Sequence, residues 1–239
     1  MHEPNPSPKP APWLLVVAAP AEAAAVLDGL HHPSRSATKW KPVWIDDELA
    51  VLMTGVGKAN AAAGVGIALH SRTFGAVVNL GIAGALPAAR PPELGDSIAA
   101  SRSVYADEGV AMPDGSFVGC AAMGFPLGHF DDAGLAGSPE LLKRVGSLMD
   151  RVGPIATVST CSGTDGLART VVERTSAEAE AMEGAAVGQV ALELGVPFVE
   201  IRVISNTTGD RGNQAWAIGP ALRRLGEISA AIAEQARTR

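Results

Sequence analysis

Three polar side chains fall where an α/β protein brings chemistry to a ligand. Glu22 follows the first apolar run, Glu183 opens an alanine-rich segment, and Asn206 closes the last apolar run. Strand ends and helix starts are the points of such a fold where polar groups meet a bound molecule. Two carboxylates supply a general base and an acceptor for a hydroxyl proton, and an amide reads a purine edge with one donor and one acceptor. As a set they suit cleavage of an N-glycosidic bond. Taken singly, each has a plainer use. Glu22 and Glu183 fit the first turn of a helix, where the dipole favours an anion. Asn206 is an ordinary turn former.

Strands and helices must alternate to hold these positions. Residues 14–19 read as a buried first strand and residues 23–30 as a short helix. Residues 43–46 and 49–53 read as a hairpin around Asp46-Asp47-Glu48. Next, Thr54-Gly-Val-Gly-Lys-Ala-Asn60 is a glycine-rich turn leading into a helix over 61–69. Backbone N–H groups of such a turn, Gly57 among them, hold an anion or a water, or the glycines serve close packing. The strand 76–79 is expected to end in a second small-residue turn, Leu80-Gly-Ile-Ala-Gly-Ala85, where Ala83 and Gly84 would line a ligand crevice. A strand over 97–101 is followed by a long Gly/Pro-rich stretch, 112–137, with Phe117, Phe125, His129 and Phe130. Long connections of this kind serve as lids or partner contacts.

A helix is expected over 139–152, a strand over 155–159, and a polar exit loop over 160–165. In that loop Thr160, Ser162 and Thr164 either bond a base or cap the next segment. The helix over 183–194 buries Val187, Val190, Ala191 and Leu194, which are helical neighbours. The apolar run 196–204 is the last strand, and a helix over 220–236 presents Leu222, Leu225, Ile228 and Ile232 on one face. The pattern implies one three-layer α/β/α domain with a central mixed sheet over 13–239, after a proline-rich disordered tail over 1–12.

Composition excludes several classes. The 239-residue chain has a net charge of −6 and no basic face, which argues against nucleic acid as a partner. No apolar run approaches the ~20 residues of a membrane span. Residues 13–19 also suit the apolar part of a signal peptide, but Lys9 is the one lysine or arginine before them and Pro20 interrupts the run. The strand reading is preferred, with a cytoplasmic protein as its consequence. Cys120 and Cys161 lack CxxC spacing and give neither a disulfide framework nor a zinc site. Cys161 lies in a polar loop, where it is either a nucleophile or a small side chain beside a pocket; no histidine nearby in sequence would activate it, which favours the second.

The ordered set of motifs resembles the nucleoside phosphorylase/nucleosidase superfamily over residues 13–236. It comprises Thr54–Asn60, Asn79–Ala85, Leu94-Gly-Asp96, Ala181-Met-Glu-Gly-Ala-Ala186 and Pro197–Asn206. Val104-Tyr-Ala-Asp-Glu-Gly109, Gly124-Phe-Pro126 and Ser205-Asn-Thr-Thr-Gly-Asp-Arg211 carry a narrower resemblance, to the futalosine hydrolases of menaquinone synthesis. In related methylthioadenosine/S-adenosylhomocysteine nucleosidases a Met-Glu pair holds the ribose, and Met182 and Glu183 match it. Those adenine-specific enzymes have Asp after the Ser at the end of the last strand. Asn206 stands there in this chain, and an amide suits the 6-oxo group of hypoxanthine.

The phosphorylases carry an arginine before the second glycine motif, whereas this chain has Val77-Val-Asn79 and only Lys58 nearby. The resemblance therefore implies hydrolysis, with water activated by Glu22. That residue's match is imperfect, since Ala19-Pro-Ala-Glu22 slides by one and Ala23 then takes the slot. Ala83, Gly84, Gly57, Thr160 and Ser162 would line the substrate. Asp210 or water would protonate the leaving base, Asp210 being also a natural turn residue. Arg202 and Arg211 either meet the substrate's carboxyphenyl tail or form salt bridges, and His129 and Phe130 either approach that tail or form a surface loop. The resemblance implies a homodimer or larger homo-oligomer, a small-molecule nucleoside as partner, and no metal or organic cofactor. Other outcomes are a nucleosidase or phosphorylase for another 6-oxopurine nucleoside, or a nucleoside-binding protein without catalysis.

Overall fold

The computed structural model describes residues 10–238. Of the tail expected over 1–12, residues 1–9 lie outside the described residues; Pro12 is buried, and its carbonyl accepts the Gly75 N–H at 2.8 Å, so the domain already includes it.

In chain order the elements begin with β1 (Trp13–Val17), α1 (Pro20–Gly29), β2 (Val43–Trp44), β3 (Leu49–Met53), α2 (Lys58–Ser71), β4 (Ala76–Ala85) and β5 (Ser97–Tyr105). They continue with β6 (Gly109–Ala111), β7 (Phe117–Gly119), β8 (Leu135–Ala136), α3 (Pro139–Gly146), β9 (Arg151–Thr157) and α4 (Asp165–Thr175). The last are β10 (Ala179–Ala181), α5 (Gly184–Glu193), β11 (Phe198–Thr207) and α6 (Ile218–Arg237).

The main sheet runs β10-β9-β5-β11-β4-β1-β3-β2, and β8 adds to β5. Parallel and antiparallel neighbours mix, as β11 is parallel to β4 and antiparallel to β5. Every residue of β1 is buried between parallel neighbours, which is why the run 13–17 is apolar without alternation. α1, α3 and α6 cover one face over Leu15, Val78, Val199 and Ile201, and α2 and α5 cover the other over Leu14, Val16, Val77 and Phe198.

One end of the sheet closes on itself. β10 also pairs antiparallel with β4, so β4, β11, β5, β9 and β10 form a small barrel. Its interior holds Ala83, Ala85, Ala100, Ala179 and Ala181 with Ile98, Ile155 and Ile204. Five strands enclose too little space for larger side chains throughout.

Several expectations are corrected, among them the burial of Leu194, which is exposed just beyond the end of α5. Leu80–Ala85 is not a turn but the second half of β4. Its glycines admit neighbours rather than bend the chain: a β-carbon on Gly81 would lie 2.2 Å from Arg202 Nη1 and 2.7 Å from Glu22 Oε1. β11 likewise continues past 204, so Asn206 lies within a strand, beside a register shift between Ile204 and Asn206. The helix expected over 139–152 stops at Gly146, and β9 starts at Arg151, four residues before the expected 155. Helix α4, capped by the Thr164 hydroxyl accepting from Leu167 N–H at 3.2 Å, was not anticipated. Among the described residues no helix is long and apolar enough to cross a membrane.

Candidate active site

The site is built around Arg202, which is wholly buried in β11. Its Nε donates to Glu200 Oε1 at 2.8 Å, and Nη2 donates to Asn79 Oδ1 at 2.6 Å and Glu183 Oε2 at 3.4 Å. Glu200 also accepts a short bond from the Ser103 hydroxyl. Burial opposes the guanidinium's charge, but Glu200, Glu183 and Glu22 outweigh it and raise the pKa of Arg202 above its ordinary value. Arg202, expected either to meet a substrate tail or to form a salt bridge, is thus salt-bridged to Glu200 and Glu183, with the charge of Glu22 nearby.

Glu22 sits in the first turn of α1 but does not face solvent; it is 5 % exposed. Its Oε2 accepts from Ala18 N–H at 3.0 Å and Ala19 N–H at 2.8 Å, closing the helix start. Its Oε1 accepts from Ile82 N–H at 2.9 Å, across the sheet. Burial raises its pKa above the carboxylate norm, against the pull of Arg202 and these N–H groups. The Glu22 side chain is the one turned into the cluster, while the neighbouring slot holds only the Ala23 methyl, packed in the core.

Glu183 caps α5 and is also buried. Gly57, at φ 92°, donates its N–H to Glu183 Oε1 at 2.9 Å. The anion that the glycine-rich turn holds is therefore the protein's own carboxylate. Oε2 of Glu183, with only the long Arg202 contact, keeps lone-pair capacity for a hydroxyl donor. Met182, half-buried beside it, packs against Leu86, Ala106 and Val158. Lys58, next to Gly57, is engaged by Asp107 and by Glu108 Oε1 at 2.9 Å.

A second group lies at the barrel rim. Gly84, Cys161, Ser162, Glu180, Asn206 and Trp216 line one cavity. The Asn206 amide is oriented without ambiguity: Nδ2 lies 2.9 Å from the Thr207 carbonyl oxygen, which only accepts, while Oδ1 accepts from Ser205 Oγ at 2.9 Å. One N–H and one lone pair remain for a ligand.

The other expected residues divide. Gly84 and Ser162 belong to this cavity, but the Ala83 methyl faces the barrel interior, leaving only its backbone as a contact. Thr160 is exposed and outside the cavity lining, and Thr164 caps α4. Asp210 exchanges bonds with Asp165, its Oδ1 accepting at 3.1 Å and its N–H donating at 3.0 Å, which is the turn role. Burial, with Glu180 and Glu183 nearby, raises the Cys161 pKa and keeps the thiol protonated, so it is not an activated nucleophile. His129 is exposed near Glu193, and Phe130 lines a different cavity with Tyr105 and Phe117. Arg211 stacks on the Trp216 ring at 4.6 Å and lies at the rim cavity.

The salt bridge of Arg202 is among the expected roles, but Glu200 as its partner and Glu180 at the rim are not. The Glu200–Arg202 pair had a signal: two opposite charges two residues apart in an apolar strand share a face and must be buried as a pair.

With the geometry in view, comparison with known proteins is decisive at the family level. The phosphorylase superfamily model matches residues 15–236. The chain belongs to that superfamily. Among similar sequences of this superfamily member is futalosine hydrolase of Acidothermus cellulolyticus, 38 % identical over 92 % of this chain and 89 % of the relative. Another is futalosine hydrolase of Streptomyces coelicolor, 35 % identical over 76 % of this chain and 77 % of the relative. Solved structures share the fold. The methylthioadenosine/S-adenosylhomocysteine nucleosidase of Colwellia psychrerythraea, in complex with adenine, superposes with a TM-score of 0.72 at 21 % identity over 95 % of each chain. That of Streptococcus pyogenes, in complex with 5-methylthiotubericidin, gives 0.71 at 23 % identity over 97 % of this chain and 98 % of the other.

Proposed function

We propose that this protein hydrolyses the N-glycosidic bond of futalosine, releasing hypoxanthine and dehypoxanthine futalosine in menaquinone biosynthesis. The curated relatives named for that reaction support the substrate. The observation that carries the mechanism is the buried cluster in which Glu22 and Glu183 flank Arg202. Glu22 takes a proton from water, and its raised pKa makes it a stronger base than an ordinary carboxylate. The deprotonated water adds to C1′ as the C1′–N bond breaks, and the departing base takes a proton from water; Glu183 accepts the ribose 2′-hydroxyl, and its charge favours the cation that develops at C1′. Met182 supplies the apolar flank, and Asn206 binds the 6-oxo group.

Water rather than phosphate is the nucleophile in this reading. Phosphate needs free arginine or lysine around its oxygens. The cation at the glycine turn, Lys58, is already neutralised by Asp107 and Glu108, whose charges would also repel phosphate. Futalosine, inosine and methylthioadenosine, each with and without phosphate, give the test. Free hypoxanthine is expected from futalosine without phosphate. Strict phosphate dependence would make the protein a phosphorylase, and tight binding without turnover would make it a binding protein.

Asn206→Asp is expected to shift selectivity toward 6-aminopurine nucleosides by about tenfold, the scale of one mismatched polar contact. The carboxylate receives a 6-amino group but repels a 6-oxo group. It also sets an oxygen against the Thr207 carbonyl, so the rate on both substrates should fall. Unchanged selectivity would remove Asn206 from base reading. We also place the protein in the cytoplasm as a homodimer or larger homo-oligomer; exposed Met112 and Phe125 on the long connection, with Val110 of β6 just before it, support contact with a second copy.

A further inference from the structure

We infer that Glu180, held by Ser162, is a second and stricter reader of the base: its carboxylate accepts the N1–H of a 6-oxopurine while Asn206 donates to O6. This rests on the proposed reading that Asn206 faces the base.

Glu180 stands apart from the other buried carboxylates. Glu22, Glu183 and Glu200 share Arg202, but Glu180, only 4 % exposed, takes its bonds from Ser162 alone, the N–H to Oε1 at 2.7 Å and the hydroxyl to Oε2 at 2.6 Å. Among the described residues no ion pair reaches it. Burial raises its pKa, and the Ser162 bonds pull it back. A buried carboxylate without a cation costs stability. A ligand donor would offset that cost.

Its placement shows where such a donor would sit. Ala179 and Ala181 point into the barrel, so Glu180 between them points out, into the rim cavity. Glu180 is in register with Gly84 on one side of β4, and Asn206 is in register with the same glycine on the other side. Two strands that flank a third lie roughly 10 Å apart, and side chains leaning toward each other over the middle strand come close enough to meet neighbouring atoms on one edge of a base. Both side chains converge over Gly84, beside the Thr208 methyl: a β-carbon there would lie 2.8 Å from Thr208 Cγ2, 3.1 Å from Asn206 Nδ2 and 3.7 Å from Glu180 Cγ.

The chemistry is selective. A 6-oxopurine presents a donor at N1 beside an acceptor at O6, and a carboxylate beside an amide NH2 is the complement. A 6-aminopurine reverses both, with a lone pair at N1 and a donor at the 6-position. Turned over, the Asn206 amide would suit a 6-amino group at the cost of its bond to the Thr207 carbonyl, but a carboxylate has two acceptors and no donor whichever way it turns. Glu180 therefore enforces a preference that Asn206 alone would leave adjustable.

Calorimetric binding of hypoxanthine, 1-methylhypoxanthine and adenine to the full chain tests this. The wild type should favour hypoxanthine over each of the others by about tenfold or more, the scale of a hydrogen bond to a charged group. Glu180→Gln should lose about tenfold in hypoxanthine affinity and hold adenine as well as before or better, since its NH2 then meets the N1 lone pair. Equal wild-type affinity for hypoxanthine and 1-methylhypoxanthine, a comparison needing no variant, would overturn the assignment. So would an equal loss for hypoxanthine and adenine in Glu180→Gln, which would mark a structural role. A hypoxanthine preference that vanishes in Glu180→Gln, in a protein that leaves futalosine intact, would support Glu180 and refute only the choice of futalosine.

Discussion

Glu22→Gln should lower turnover by about 10²–10⁴-fold, the usual contribution of a positioned general base, while the protein stays folded. The loss follows from removing the proton acceptor. The retained fold follows from the local hydrogen bonds. Oε2 serves two N–H groups, of Ala18 and Ala19, and the amide oxygen of glutamine will take that place. Its NH2 then faces the Ile82 N–H, leaving one buried donor unsatisfied at a cost of ~1–3 kcal/mol. A domain of ordinary stability survives that. Affinity for hypoxanthine should be unchanged, because Glu22 sits in the Arg202 cluster and not in the rim cavity.

The pH profile gives an independent signature of Glu22. Burial raises its folded-state pKa above the ordinary 4.5, with Arg202 opposing. Glu22 acts as a base only when ionised, so kcat/KM should fall as pH drops through that raised value, and the limb should be absent from the residual activity of Glu22→Gln. Stability runs the other way. A raised folded pKa means that folding favours the protonated group, so this contribution is full below 4.5 and is lost as pH rises through the folded value. Acid should then silence the enzyme over a range where Glu22 itself stabilises the fold. A variant that keeps wild-type turnover, or keeps the acid limb, would take the base role away from Glu22.

The sequence made legible what depends on periodicity and position. The apolar run 13–17, the hairpin of β2 and β3, the glycine turn at Gly55 and Gly57, and the stripe of α6 all lie where their patterns put them. Glu22, Glu183 and Asn206 stand out in the sequence as polar groups beside apolar runs; the fold buries the two carboxylates around Arg202 and sets Asn206 at the rim cavity. What was hidden depends on partners distant in sequence. Gly81 reads as a turn residue until Arg202 and Glu22 are seen to occupy the space of its missing side chain. Glu180 is one carboxylate among several in Glu178-Ala-Glu-Ala-Met-Glu183, and only the closure of β10 on β4 turns it toward Asn206. Helix α4 carries a narrow stripe, Ala168 and Val171, between charged residues, too weak a pattern to stand out without the sheet it covers.

Arg202→Met should be the most destabilising substitution in the chain. Methionine fills much of the volume but leaves Glu22, Glu183 and Glu200 without their cation, at 5 %, 4 % and 0 % exposure. Removing one partner of a buried ion pair costs ~3–5 kcal/mol, and here three carboxylates share the partner. In a domain of this size that corresponds to a fall of roughly 10 °C or more in Tm. Lysine is not a substitute, because one ammonium cannot reproduce the fork that reaches Glu200 through Nε and Asn79 through Nη2. The cost should depend on pH in a direction that follows from linkage. Without Arg202 nothing of that charge opposes the burial of Glu22, whose folded-state pKa then rises further, so the variant is helped by protonation and loses stability as pH rises. The gap between wild type and variant should narrow at pH 5 relative to pH 8 in denaturant titrations. An equal gap at both would mean that lost packing, and not uncompensated charge, sets the cost. The charge argument also explains why Arg202 belongs to function although it touches no substrate in the proposed mechanism. It bonds Glu183 and so helps orient it for the ribose, and its charge limits how far burial raises Glu22.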